Sequence, residues 1–186
     1  ERIDIEGNAT TLDRVIRRQF ITVEGDPFDP RAIRQAAERL RATGFFADVA
    51  VEGRPGTASD QVIVDVDVQE QPTGSLSFAA NFSTDTGVGL AVTFSESNFL
   101  GRGQELNFSF NTTEGSRALN FSFTEPQFLS RDLSLNLRAF YTETTSQNRD
   151  YDTLDIGLRG GLGFPVSEFG RMNAYVGVEQ NEISNI

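Results

Sequence analysis

Two short patterns in the sequence contain residue types that could take part in chemistry. Asp65 and Asp67 are paired carboxylates in an alternating segment, and Gly101-Arg102-Gly103 has the glycine spacing that begins a phosphate-binding loop. The loop pattern lacks its third glycine and is followed by a strand pattern where a helix is required. Nothing in the sequence indicates a cleft or a partner for the two carboxylates. We therefore predict structural roles for both patterns, with Gly101 and Gly103 supplying the backbone conformations of a tight hairpin.

A third pattern, formed by Asp150, Asp152 and Asp155, resembles part of a calcium-binding loop. It lacks the rest of the EF-hand pattern, including the glycine at the sixth position. We predict a solvated group of charges there, and neither a metal site nor a cofactor.

The composition excludes most common kinds of active site. The 186 residues include no His and no Cys, and all 16 basic residues are Arg. This removes Ser-His-Asp and Cys-His catalysis, Schiff-base lysine chemistry and zinc sites of His and Cys. A formal net charge of -11 also argues against nucleic acid as a partner, because phosphate binding requires a basic surface. We expect a protein that is not an enzyme.

The beginning of the chain carries two helix patterns. Thr10 or Thr11 could cap a first helix that extends to Phe20. Asp29-Pro30 has the pattern of an N-cap followed by proline at the first helical position, which predicts a second helix as far as Thr43. Both helices would have one apolar face, as expected for helices that cover a sheet.

Strand patterns flank these two helices, one over residues 2–6 and two over residues 47–52 and 61–70. The order β-α-α-β-β is enough for a small α+β domain with a three-stranded sheet.

From Gly74 the helical period disappears, and large apolar residues alternate with small or polar ones. About seven such segments follow, several of them about 10 residues long, the length that crosses a bilayer at a tilt. Glu105, Arg138 and Arg159 lie mid-strand on the polar face, where a water-filled lumen would solvate them. The alternation alone fits both a soluble β-sandwich and a membrane barrel that turns its apolar face toward lipid.

Several segments form motifs that point to a known family. Glu24-Gly25-Asp26 and residues 39–46 (RLRATGFF) are similar to signatures of the POTRA domain. More specific are residues 97–104 (SNFLGRGQ) and 122–128 (SFTEPQF), which resemble the second-to-third-strand hairpin and the end of the fourth strand in BamA-family outer-membrane assembly proteins. The residues that characterise these two motifs are Asn98, Phe99, Leu100, Gly101, Gly103, Glu125 and Pro126.

This resemblance implies the last POTRA domain, over residues 1–72, and the first strands of a transmembrane β-barrel, over residues 73–186. The fold class is then an α+β POTRA domain followed by about seven antiparallel strands of an incomplete barrel. The resemblance also implies a bacterial outer-membrane protein with its POTRA domain in the periplasm. Because about seven strands leave two open edges, which hydrocarbon does not tolerate, we expect a fragment or a chain completed by another polypeptide.

The resemblance further implies a component of the machinery that folds and inserts outer-membrane proteins. Its partners would be outer-membrane protein substrates, assembly lipoproteins of the periplasm and the lipid bilayer, with no nucleic acid and no cofactor. Glu24 corresponds to the loop acid through which the last POTRA domain contacts a lipoprotein. The first barrel strand would be a lateral gate to which an incoming strand adds by β-augmentation; its residues are Leu76, Ser77, Phe78, Ala79, Ala80, Asn81, Phe82 and Ser83.

Two other functions remain open from the sequence. Within the same superfamily, the chain could belong to a POTRA-bearing two-partner secretion pore that exports a protein. From another class, a soluble β-sandwich adhesin with an α+β cap would show the same alternation.

Overall fold

The computed structural model describes residues 2–21, 25–56, 61–84, 87–145, 151–167 and 170–184. Contacts divide the chain into two units, of which the first holds Glu1–Thr73 together with Asn98–Gly103 and the second holds Gly74–Ser97 and Gln104–Ile186. The domain boundary between residues 72 and 73 remains a prediction.

The first unit has the predicted order β-α-α-β-β. Its three strands form one sheet in the order β1-β3-β2, in which β1 is parallel and β2 antiparallel to the central strand β3. The elements are β1 Arg2–Glu6, α1 Asp13–Arg17, α2 Pro30–Ala42, β2 Phe46–Pro55 and β3 Val62–Glu70. Neither helix is long and apolar enough to cross a membrane, within the residues that the structure describes.

Helix α2 begins and ends where its sequence signals predict. The Asp29 side chain accepts a hydrogen bond from the Arg31 backbone N–H at 2.8 Å, and Pro30 occupies the first turn. Thr43 is the C-cap, and Gly44 follows it with a φ of 72°, a conformation that costs glycine little. The prediction for this helix is confirmed.

Helix α1 is shorter than predicted, and the assignment of Thr10 or Thr11 as its cap is wrong. Leu12 is the N-cap residue and makes no side-chain capping bond. Beyond Arg17, the N–H of Gln19 bonds to the carbonyl of Ile16 and the N–H of Phe20 to that of Arg17, so the chain tightens into i→i−3 turns. Phe20 reaches the core from this turn and not from the helix, with 7% of its surface exposed.

The core of the first unit lies between its helices and one face of its sheet. The larger buried side chains belong to both helices and to the strands β2 and β3: Val15, Ile16, Leu40, Val49, Val64 and Val66. Alternate residues of β3 point to the core, which explains why valine alternates with aspartate along that strand.

The second unit is a single sheet of seven strands in the order β10-β9-β8-β7-β6-β5-β4. The strands of the pair β4–β5 are antiparallel. The four successive pairs from β6 to β10 are antiparallel as well. The strands are β4 Gly74–Ser83, β5 Gly87–Phe99, β6 Gln104–Thr113, β7 Ser116–Glu125, β8 Ser134–Thr144, β9 Asp152–Ser167 and β10 Gly170–Ser184, with a 3-10 helix at Phe128–Ser130.

One face of this sheet is mainly apolar and the other mainly polar. Registered pairs such as Phe108↔Phe121 belong to the apolar face, and pairs such as Asn107↔Ser122 to the polar face. In the described part of the chain, every fully buried apolar side chain belongs to the first unit, so no second layer covers this sheet. The β-sandwich alternative is wrong on this point, because a sandwich requires two sheets packed face to face.

Candidate functional site: an edge strand and a buried turn

Strand β4 contains the eight residues predicted to form the lateral gate, and it lies at one edge of the seven-stranded sheet. It pairs with β5 in an antiparallel register that matches Leu76 to Phe94 and Phe78 to Val92. No strand of the described residues pairs with its other side. An edge strand of this kind offers backbone N–H and C=O groups to a further strand.

The side chains of β4 follow the alternation that the sequence predicts. Phe78 and Phe82 are 73% and 75% exposed, which leaves a continuous apolar ladder on one face. On the other face, the Asn81 carboxamide extends over Gly89 of β5, where a Cβ atom would come within 2.1 Å of Asn81 Oδ1. Glycine at position 89 therefore makes room for Asn81.

The SNFLGRGQ motif forms a turn between β5 and β6 that belongs to the first unit. The Gly101 N–H bonds to the Asn98 carbonyl at 2.9 Å, and the Arg102 N–H bonds to the Phe99 carbonyl at 3.1 Å. Leu100, Gly101 and Gly103 have φ values of 55°, 68° and 66°. The predicted role of the two glycines in a tight turn is consistent with these positive φ values.

Asn98 is the buried centre of this turn, with 6% of its surface exposed. Its Nδ2 donates to Thr11 Oγ1 at 2.9 Å, and its Oδ1 accepts from the Gly103 N–H at 2.7 Å. Thr11 is itself only 3% exposed. Since a buried polar group without a partner is costly, these two bonds explain an asparagine at this position.

Gly101 also allows a close approach of the turn to the segment before α1, and Gly103 leaves room for the side chain of Arg18, which follows α1. The Leu12 N–H donates to the Gly101 carbonyl at 2.9 Å. A Cβ atom on Gly101 would lie 2.0 Å from the Thr10 carbonyl oxygen, and one on Gly103 would lie 2.3 Å from a guanidinium nitrogen of Arg18. The sequence predicted the turn but not this second requirement for glycine.

Glu70 is a residue of this network that the sequence does not reveal. Its carboxylate accepts the backbone N–H groups of Thr10 and Thr11, at distances of 2.6–3.1 Å. Partial burial raises the pKa of Glu70, but the hydrogen bonds from Thr11 and Thr10 outweigh it and the pKa is lowered overall. Glu70 and Thr11 are 59 residues apart in the chain, so no local pattern indicates their contact.

Glu125 and Pro126 mark the end of a strand, as predicted. Glu125 is the last residue of β7, and Pro126 follows it where no ladder bond is needed. The Glu125 carboxylate accepts hydrogen bonds from the Gln104 side chain and from the Gln127 N–H. It therefore fixes the first residue of β6 beside the last residue of β7.

The other predicted site residues do not lie in the edge strand β4 or in the buried turn. Glu24, the predicted lipoprotein contact, lies outside the described residues, as does Asp150 of the acidic pattern. Among the residues that are described, no group of three or more acidic side chains could hold a metal ion. Arg138 and Arg159 lie mid-strand as predicted, whereas Glu105 is the second residue of β6.

Family models match both units of the chain. Residues 1–71 match the POTRA model, described as a surface antigen variable number repeat, and residues 98–186 match the Omp85 superfamily domain. The chain therefore contains a POTRA domain that precedes part of an Omp85 superfamily domain, and the edge strand β4 lies between the two matched ranges.

Comparison with individual proteins identifies the family within this superfamily. The chain is 29% identical to the outer membrane protein assembly factor BamA of Buchnera aphidicola and 30% identical to that of Neisseria meningitidis, with 100% and 92% of the chain covered. The crystal structure of BamA from Haemophilus ducreyi lacking POTRA domains 1-3 superposes on the whole chain with a TM-score of 0.82 and 29% identity. The chain belongs to the BamA family of bacterial outer-membrane proteins, whose POTRA domains are periplasmic.

The chain spans only part of these relatives. It covers 31% of the Buchnera protein, 22% of the Neisseria protein and 36% of the Haemophilus structure. CdiB from Acinetobacter baumannii also superposes on the whole chain, with a TM-score of 0.62 at 15% identity. That likeness shows a shared fold alone.

Proposed function

We propose that this chain acts, without enzymatic chemistry, in folding outer-membrane proteins and inserting them into the outer membrane. The observation that carries the proposal is the edge position of β4 in a one-layered sheet of a BamA-family chain. The proposal is consistent with relatives that are named assembly factors.

The lateral gate is the finer part of the proposal. An incoming strand would hydrogen-bond to the free side of β4 and continue the antiparallel ladder. The apolar ladder of Leu76, Phe78 and Phe82 would continue into the apolar face of the new strand. Completing the ladder and burying apolar surface in lipid favour the product, so no nucleotide or cofactor is needed.

The POTRA domain would receive substrates and periplasmic assembly lipoproteins. The lipoprotein contact at Glu24 rests on the family motif alone and stays part of the proposal. The alternative of a two-partner secretion pore shares the predicted fold, and it predicts a barrel seam that does not exchange strands.

Cysteine crosslinking in the intact parent protein, in its own membrane, tests the gate. The 186 residues contain no cysteine, so Ser77→Cys and Ala79→Cys introduce single reactive positions on β4. We expect crosslinks to a resident strand that give way to crosslinks with a client strand during assembly. Val176→Cys on β10, the other edge strand, is the matched control and should not exchange.

A permanent crosslink on β4 would contradict the gate and favour the secretion pore. The broader function has its own test, which is depletion of the parent protein. Depletion should lower the amounts of other outer-membrane barrels, and unchanged amounts would contradict a role in assembly whatever the crosslinks show.

A further inference from the structure

The polar face of the seven-stranded sheet contains a pair of arginines without a partner. Arg138 of β8 and Arg159 of β9 are directly opposite each other in register, and both side chains are exposed. Directly opposed residues on neighbouring strands have Cβ atoms only about 5 Å apart, and like charges at that distance are unfavourable. The presence of two like charges in opposed positions therefore requires a physical explanation.

No carboxylate of the described residues neutralises this pair. Arg2, Arg54 and Arg171 form ion pairs, whereas Arg138 and Arg159 form neither an ion pair nor a hydrogen bond within the described part of the chain. The acidic side chains of Asp155 on β9 and Glu179 on β10 lie against the carboxamide of Asn181, which can donate to both.

Glycines and aromatic rings shape the space around Arg159. Gly157 and Gly161 flank it along β9, and the rings of Phe140 and Tyr175 lie over these two glycines, where a Cβ atom would come within 2.5 Å and 2.3 Å of them. Across from Arg159 on β10 is Gly177, which presents no side chain. Two aromatic rings therefore lie beside Arg159 along β9, and no side chain faces it from β10.

Two adjoining concavities on the polar face meet at Ser122 and Arg138, and we call them together the groove. A concavity of about 290 Å³ is lined by Ser122, Asn136, Arg138, Arg159 and Tyr175 among others. A second concavity of about 400 Å³ shares Ser122 and Arg138 with it and extends to Thr93, with Asn107, Ser109 and Asn120 along the way. The groove thus crosses the strands from β5 to β10.

The dimensions of this groove suit a polypeptide segment and not a small anion. Six strands with a spacing of about 4.8 Å span about 24 Å, which is the length of about seven extended residues. Hydroxyl and carboxamide groups of its lining can bond to a peptide backbone, and its cationic lining residues are Arg138 and Arg159. Two planar guanidinium groups side by side match a carboxylate, which can accept hydrogen bonds from both.

We propose that the polar face of the sheet is a docking groove for an extended segment of a partner polypeptide, whose Asp or Glu side chain binds between Arg138 and Arg159. The groove lies within the second unit and does not depend on a lateral gate at β4. A bound carboxylate would convert the repulsive arginine pair into a three-membered ionic network.

Binding of a synthetic peptide to the intact protein in detergent tests the proposal. The probe is a fluorescent, end-capped heptapeptide of Ser and Thr with a central Asp, and the comparison peptide carries Asn in its place. We expect the Asp peptide to bind at least about tenfold more tightly than the Asn peptide, because charge-assisted hydrogen bonds are the stronger ones. This comparison uses the unaltered protein and does not depend on the folding of a variant.

The double variant Arg138→Gln/Arg159→Gln should remove the preference for the Asp peptide. Arg34→Gln/Arg131→Gln is the matched control, since it deletes the same charge from two exposed arginines outside the groove. Heat-modifiable electrophoretic mobility verifies that each variant is folded. Equal binding of the two peptides, no binding of the Asp peptide, or a preference that survives in the double variant would overturn the proposal. Complete displacement of the peptide by millimolar inorganic phosphate would also overturn it, in favour of a small-anion site.

Discussion

Asn98 and Thr11, which are 87 residues apart in the chain, are joined by a buried hydrogen bond of 2.9 Å between Nδ2 and Oγ1. The same asparagine accepts the Gly103 N–H, so one side chain satisfies the interior of its own turn and the hydroxyl of a distant threonine. Buried polar networks of this kind are stable only when every member has a partner.

Asn98→Ala should therefore destabilise this turn. The Gly103 N–H would lose its acceptor in a buried site, at a cost of about 1–3 kcal/mol. We expect hydrogen exchange of the Gly103 and Leu12 amides to become about tenfold faster or more, as measured by mass spectrometry on the intact protein. Asn111→Ala, on the exposed part of β6, is the control and should leave these amides unchanged. Unchanged exchange in Asn98→Ala would show that the bond contributes little.

Two glycines with nearly equal φ allow the steric effect at Gly101 to be separated from backbone strain. Gly101 and Gly44 have φ values of 68° and 72°, so alanine costs about 1–2 kcal/mol in conformation at either position. At Gly101 the new Cβ also meets the Thr10 carbonyl oxygen at 2.0 Å, whereas nothing lies within 4 Å at Gly44. We expect Gly101→Ala to lower the midpoint of thermal unfolding clearly more than Gly44→Ala. Equal effects of the two substitutions would mean that the turn moves away at no cost.

The hydrogen bonds of Glu70 should depend on pH. Because its folded pKa lies below the ordinary value of 4.5, its stabilising contribution is complete above that value and is lost as the pH falls through the folded pKa. We expect exchange of the Thr10 and Thr11 amides, corrected for intrinsic rates, to accelerate in this acidic range. Glu70→Gln should abolish the acceleration, while Glu38→Gln on the exposed side of α2 should retain it. If the acceleration persisted in Glu70→Gln, the pH dependence of exchange would come from a different titrating group.

The two faces of the central strands should differ sharply in their tolerance of charge. Phe121 is on the apolar face of β7 and its neighbour Asn120 on the polar face. An arginine near the bilayer midplane on a lipid-facing position costs about 2–4 kcal/mol. We expect Phe121→Arg to reduce the heat-modifiable, folded form of the protein in membranes, and Asn120→Arg to have little effect. Similar losses in both variants would contradict a lipid-facing apolar side.

The sequence by itself determined the features that depend on neighbouring residues. Asp29-Pro30 and Gly44 predicted both ends of α2, since a cap and a positive φ are local requirements. The alternation from Gly74 predicted about seven strands and the residues on each face, because the side-chain period of a strand is two. Gly101 and Gly103 of the SNFLGRGQ motif indicated a tight turn, because the backbone conformation that glycine favours is a local requirement.

Only the tertiary structure determined which residues of other elements each helix, strand or turn contacts. Thr11 resembled a helix cap, but the acceptor for its N–H is Glu70 and its hydroxyl binds Asn98. Strand alternation alone does not predict that Arg138 lies opposite Arg159. A shift of one residue in the register of β8 and β9 would place each arginine opposite a different residue. Contacts between residues distant in the chain arise from register and packing, which local propensity does not specify, and both the buried turn and the arginine groove depend on such contacts.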